Sequence, residues 1–242
     1  IPIGRPQADH YSGELPFTPD GRSVILYAPT WEGDRPAAAY GSVASHGVEL
    51  VRALTSTGRH RVIYRPHPRS GVVDAAYGAA NREIVQILER ANAADPKAQH
   101  VHDTGSDIGW QLAVADVAIV DISAMVYDRL ASGRPLLVTR PIDASAEIDE
   151  GGYLSDAEWL DAADTDRITD RIDSLETDDT ARQRLARWVD HYFGDTSPGV
   201  ATARFHAAIE RLLDEWHTQN ELHHGERFSR ELGDPDSRDE DD

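Results

Sequence analysis

The chain of 242 residues contains no cysteine and one methionine. Without thiols it has neither disulfides nor thiolate metal sites, which fits a reducing compartment. Lys97 is its only lysine, so its positive charge is almost all arginine. A coding bias is the simple explanation, although guanidinium groups near a site would suit planar phosphate recognition. Positive charge is scarce altogether: 24 basic residues face 43 acidic ones, for a formal net charge of -19. Such a surface argues against nucleic acid as a partner, because neutralising phosphates takes clustered Lys and Arg. No apolar run approaches the roughly 20 residues of a membrane-spanning helix, and the N-terminus lacks a charged-then-apolar signal pattern. A soluble protein in the cytoplasm is expected. No P-loop and no Gly-x-Gly-x-x-Gly follows the first apolar strand, which argues against kinase-type and dinucleotide-dependent chemistry. No His/Asp/Glu spacing suggests a metal site, and no cofactor is expected; His223 and His224 lie in a polar stretch and read as solvated.

What the chain does have is 40% apolar residues, distributed as short strands alternating with amphipathic helices. Residues 23–30 (SVILYAPT), 60–68 (HRVIYRPHP), the start of 99–116, 117–121 (VAIVD) and 134–141 (RPLLVTRP) read as strands. Between them, 45–58, 81–93, the end of 99–116 and 123–133 carry helical spacing, with Gly58 as a stop. Strands apolar on both faces, alternating with helices, predict a doubly wound, mostly parallel α/β sheet of Rossmann-like type. Further helices are expected over 165–175, 178–192 and 196–219, the last packing through Ala203, Ala207, Leu212 and Trp216. The expected organisation is a lead-in over 1–22, one domain over 23–217, and a disordered acidic tail over 218–242. That tail holds nine acidic residues against three arginines.

In such sheets ligands bind outside the carboxyl ends of the strands, where helix N-termini present unsatisfied N–H groups. The apolar run Val117 to Val120 stops at Asp121, and Ser123 opens a helix; Ser123 can cap that helix or donate to a phosphate, and both readings stay open. The first strand ends with Thr30 and Trp31 at the same edge. The second ends with Arg65, His67 and Arg69, and the third with Asp103, Thr104 and Ser106. An Arg-His-Arg cluster beside hydroxyl-bearing turns points to anion binding, while a histidine between two prolines can equally be a rigid turn residue.

The segments YAPTWEG (27–33), RPHP (65–68) and ADVAIVDISAMVYD (115–128), in this order and spacing, resemble the motifs of the CDP-glycerol glycerophosphotransferase family, which builds poly(glycerol phosphate) chains of the teichoic acid type. IGRPQADHY (3–11) is similar to the turn preceding the family's first strand motif, and GDTSPGVATAR (194–204) is a weaker echo of its last helix start. The resemblance implies the C-terminal, nucleotide-binding half of a GT-B enzyme that binds a CDP-activated donor. The whole enzyme would transfer glycerol phosphate to an acceptor hydroxyl and release CMP. It further implies that His67 contacts the diphosphate or neutralises the leaving group, that Ser123 and its helix hold phosphate oxygens, and that Thr30 and Asp121 line the pocket. Arg65, Arg69 and Thr104 join as substrate-binding candidates, and Asp128 is expected to be structural.

Ile122 and Ala124 stand where the family usually carries tyrosine and a second serine. The family's Trp-His-Gly segment, with its general-base histidine, would lie before Ile1. The chain, which starts without Met, is therefore expected to be processed or excised and inactive alone, its polymer or lipid-linked acceptor reached through a missing N-terminal half. Peripheral contact with the inner membrane face stays open. So do two other readings: a sugar-nucleotide glycosyltransferase or epimerase of GT-B shape, and a non-catalytic Rossmann-like binding domain.

Overall fold

The computed structural model describes residues 1–149 and 151–232. Six strands form one sheet: β1 (Ser23–Ala28), β2 (His60–Tyr64), β3 (Val101–His102), β4 (Val117–Val120), β5 (Leu136–Thr139) and β6 (Trp159–Leu160). All neighbours are parallel, in the order β3-β2-β1-β4-β5-β6. This is the doubly wound arrangement expected from the alternation. Strands β2 and β4 flank β1, so the winding reverses there and leaves a crevice at the carboxyl edge.

The helices are α1 (Val48–Ser56), α2 (Ala75–Ala94), α3 (Trp110–Val114), α4 (Ala124–Ala131), α5 (Ile168–Thr177), α6 (Asp179–Phe193) and α7 (Val200–Leu232). Strand side chains alternate between the two faces of the sheet. Ile25, Tyr27, Val62, Tyr64 and Ile119 join Leu50, Leu54, Ile84 and Ile172 in a core under α1, α2 and α5. Leu26, Ala28, Ile63, Ala118 and Val120 join Leu112, Val126 and Leu130 in a second core under α3 and α4, against which Leu185 and Trp188 of α6 pack. Full burial of one such Leu or Ile stabilises the fold by about 1.5–3 kcal/mol, so two continuous layers hold the sheet firmly.

Two buried arginines serve the connections. Arg129 on α4 is fully buried and donates to the carbonyls of Pro135 (3.1 Å), Leu112 (3.1 Å), Ala115 (3.0 Å) and Asp116 (2.8 Å). It thereby ties the turn before β4 to the turn before β5. Burial, followed by repulsion from Arg134, pushes the Arg129 guanidinium down to about 9. Arg61 on β2 is likewise buried, donates to Ala98 O (2.7 Å) and Lys97 O (3.1 Å), and lies 4.4 Å from the Phe17 ring centroid. At the end of α4, Gly133 adopts φ +65 while its N–H reaches Leu130 O at 2.9 Å, the left-handed helix stop that glycine tolerates best.

The lead-in folds back across the domain. Arg5 and the Tyr11 hydroxyl both donate to Asp128 of α4, at 2.7 Å for Arg5 Nε and 2.9 Å for Tyr11, which gives Asp128 the structural role expected of it. Asp9 accepts from the Thr202 amide (2.8 Å) and hydroxyl (2.7 Å), capping the first turn of α7 from a distant part of the chain.

Four expectations change. Helix α2 begins at Ala75 rather than at Asn81, because Asp74 caps it by accepting from Ala76 N and Tyr77 N. Strand β6, two residues long, was not anticipated. On α7 the residues that turn inward are Ala201 and Ala208, whereas Ala203, Ala207, Leu212 and Trp216 are exposed. Helix α7 also runs through Thr218 to Leu232, into the stretch expected to be a disordered tail; residues 233–242 lie outside the described residues.

Candidate functional site: a cleft at the switch point

The carboxyl ends of β1 to β4 open onto a cleft of about 660 Å³, within the roughly 300–1,000 Å³ usual for small-molecule sites. Thr30 follows β1, Arg65 and His67 follow β2, Thr104 follows β3, and Ser123 stands at the N-terminus of α4; all line this cleft. Four strand ends therefore bring together most of the residues singled out from the sequence. Asn81, His102, Ile108 and Met125 line it as well, and sequence reasoning had not named them. His102 is adjacent to the highlighted Asp103, and the early start of α2 carries Asn81 to the rim.

Several of the lining side chains are held by their neighbours. The His67 Nδ1 accepts from the Arg69 amide at 3.1 Å, so the neutral ring carries its proton on Nε2. Burial, then the Arg69 charge, hold His67 below its usual value, with Glu32 opposing. At neutral pH it is an uncharged N–H donor. The Ser123 Oγ accepts from Met125 N at 3.2 Å and caps α4, whose first-turn amides and dipole favour an anion in the cleft. Tyr77 donates to Thr30 O at 2.5 Å and Tyr64 to Asn81 Oδ1 at 2.6 Å, fixing the floor.

The arginines depart from expectation. Arg65 lines the cleft, but its guanidinium is paired with Asp103 and donates to Gly105 O at 2.9 Å, while Asp103 also takes a hydrogen bond from Gln111. A guanidinium so engaged has little left for a bidentate grip on phosphate. Arg69 is not among the cleft-lining residues; it stacks on Trp31, its Cζ 3.8 Å from the ring centroid. Charge complementarity in the cleft therefore comes chiefly from α4, His67 and hydroxyl groups.

Asp121 also departs from its expected place. It is fully buried beneath the cleft and does not line it. Its carboxylate accepts from Thr30 N (2.8 Å), Ser42 N (3.0 Å) and the Thr139 hydroxyl (2.5 Å), latching the ends of β1, β4 and β5 together. Burial, outweighing these hydrogen bonds, pushes Asp121 up to about 6.

A parallel sheet wound in this order, with a cleft at its switch point, defines the chain as a GT-B-like α/β domain. Two solved structures agree in fold. A trehalose-6-phosphate structure from E. coli bound with UDP-2-fluoro glucose superposes with a TM-score of 0.53 at 16% identity, covering 84% of this chain and 50% of that one. A trehalose-6-phosphate synthase studied with bisubstrate glycomimetics gives 0.52 at 14% identity, covering 86% and 50%. The wall teichoic acid polymerase TagF, soaked with CDPG, gives 0.48 at 15% identity, covering 82% and 44%. The chain thus spans about half the length of the solved structures it matches. No curated protein matches the sequence. The family described as CDP-glycerol:poly(glycerophosphate) glycerophosphotransferase matches residues 4–210, and the chain belongs to that family.

Proposed function

We propose that this domain binds the CDP-activated donor of a glycerophosphotransferase. Its cleft would hold the diphosphate while the whole protein transfers glycerol phosphate to a hydroxyl of a poly(glycerophosphate) acceptor. The observation that carries this reading is the meeting of Thr30, His67, Thr104 and Ser123 around the α4 N-terminus in one cleft. In the transfer, the acceptor hydroxyl gives its proton to a base of the whole protein, its oxygen bonds to the glycerol-bearing phosphorus, and the bond from that phosphorus to the CMP oxygen breaks. Negative charge builds on the departing CMP phosphate, and preorganised donors aimed at it lower the barrier. His67 is the catalytic candidate: its Nε2–H donates to the departing phosphate or the bridging oxygen. Ser123 and the α4 amides hold the second phosphate, and Thr30 and Thr104 contribute hydroxyls. Arg65 shapes the cleft wall through Asp103, while Asp121 and Arg69 support the site from outside the contact surface.

Acceptor binding, and any peripheral contact with the inner membrane face, would fall to the rest of the whole protein, in keeping with a cytoplasmic enzyme of teichoic acid and cell-wall synthesis. Among the described residues no helix is long and apolar enough to cross a membrane. Calorimetric titration of CDP-glycerol, CDP, CMP and UDP tests the assignment. Saturable binding of the cytidine diphosphates, tighter than UDP, is expected; preference for UDP would transfer the site to sugar-nucleotide chemistry.

A further inference from the structure

Glu32 lies in the loop after β1, outside the cleft, yet its carboxylate reaches the loop that carries His67. Its Oε2 accepts from Gly71 N at 2.9 Å, and its Oε1 accepts from Val73 N at 2.8 Å and Asp74 N at 3.0 Å. These amides converge because the loop turns twice: Ser70 N donates to His67 O at 2.9 Å and Val72 N to Arg69 O at 3.2 Å, with Gly71 at φ +78. A concave run of N–H groups of this kind is a nest for an anion, and here a carboxylate of the same chain fills it. Burial opposes ionisation, but the amides of Asp74, Gly71 and Val73 outweigh it and hold Glu32 below the usual carboxylate range, so it is charged at neutral pH.

The neighbouring residue braces the other side of the loop, since Trp31 carries the Arg69 guanidinium on its ring. Between these braces lies the contact that matters for chemistry, the Arg69 amide on His67 Nδ1. The amides that Glu32 holds, those of Gly71, Val73 and Asp74, follow two to five residues after that of Arg69 in the same loop. We infer that Glu32 is a positioning residue that fixes the His67 tautomer, so that the Nε2–H faces the donor diphosphate. The effect on donor affinity rests on the donor-site reading above; the effect on the ring does not.

Nitrogen NMR on imidazole-labelled protein, with calorimetry of CDP-glycerol, tests this in the wild type, Glu32→Gln, His67→Ala and the double variant. In the wild type the His67 Nδ1 is expected unprotonated and Nε2 protonated. In Glu32→Gln, which cannot accept from all three amides with one oxygen, the two nitrogen signals should move toward each other as tautomers mix. CDP-glycerol should bind about tenfold more weakly, the scale of one well-aligned hydrogen bond. The double variant should bind no more weakly than His67→Ala alone, because both changes remove the same contact. An unchanged tautomer in Glu32→Gln, or strictly additive losses, would reduce Glu32 to a staple of the loop. Mixed tautomers already in the wild type would overturn the inference at once. Failure of CDP-glycerol to bind the wild type would instead remove the donor-site reading, and the ring nitrogens would still judge Glu32. If Glu32→Gln does not fold, Glu32→Asp, whose shorter arm cannot span the same amides, is read by the same criteria.

Discussion

Asp121 offers the sharpest test of how the cleft is built, because a buried carboxylate can be replaced by an isostere that keeps its acceptor. In Asp121→Asn, one amide oxygen can still take the Thr30 and Ser42 amides, and the amide nitrogen can donate to the Thr139 hydroxyl. In Asp121→Ala both backbone amides lose their acceptor inside the protein. At about 1–3 kcal/mol for each orphaned donor, the alanine variant should be about 2–6 kcal/mol less stable than the asparagine variant. The pH dependence carries its own sign. The folded value of about 6 lies above the ordinary 3.8, so the folded state holds the proton more tightly. The contribution of this group is therefore fully present below pH 3.8 and is lost as pH rises through about 6. The gap between the two values corresponds to roughly 3 kcal/mol. Asp121→Asn should lose this part of the slope and be at least as stable as the wild type at pH 7. Urea unfolding at several pH values measures both quantities, and calorimetry with CDP-glycerol should show the asparagine variant binding like the wild type. Equal stability of the two variants would refute the latch, and a well-folded Asp121→Asn that binds tenfold more weakly would place the carboxylate on the ligand.

Other consequences are open to measurement. Ser123→Ala should cost about 1 kcal/mol of stability through the lost cap and also weaken CDP-glycerol binding, seen by chemical denaturation and calorimetry. Arg129→Met should destabilise by about 3–5 kcal/mol, because the carbonyls of Leu112, Ala115, Asp116 and Pro135 lose a common donor, and thermal unfolding would show it. Gly71→Ala forces a side chain into a left-handed residue whose Cβ would collide with Gly78 Cα, so the loop must move and donor affinity should fall. Because the Arg69 amide occupies His67 Nδ1 and burial holds the ring below its usual value, His67 should bind the diphosphate as a neutral Nε2–H donor, so CDP-glycerol affinity should stay level between pH 8 and 7 in calorimetry. The diphosphate diester does not titrate in that window, and a steep rise in affinity that His67→Ala abolishes would show instead that the charged ring binds.

The sheet was legible because VILYA, VIY, VAIV and LLV are continuous apolar runs, and a parallel sheet covered on both faces requires such runs. β6 escaped because two residues carry no period. The start of α2 escaped because Ala75 to Ala80 lack an apolar stripe and Asp74, its cap, looks like any loop aspartate. On α7 the spacing predicted a packing face, but the buried residues are Ala201 and Ala208; the lead-in meets the helix at its first turn, where Asp9 holds Thr202 from some 190 residues away. At the site, pattern identified the strand ends but not the direction of each side chain. Thr30, His67, Thr104 and Ser123 reach the cleft, whereas Asp121 turns inward to satisfy two amides and a hydroxyl. The arginine-rich composition likewise concealed two different uses, since Arg61 and Arg129 collect interior carbonyls with a planar fork of donors that lysine lacks.

The most direct measurement is the affinity of CDP-glycerol for the wild-type chain and for His67→Ala, by calorimetry at pH 7, each confirmed folded by circular dichroism. The account predicts saturable binding to the wild type and a loss of about tenfold or more in the variant, the scale of a hydrogen bond to a charged phosphate. Equal affinity in the two proteins would contradict the role given to His67, and no binding to the folded wild type would contradict donor recognition by this cleft.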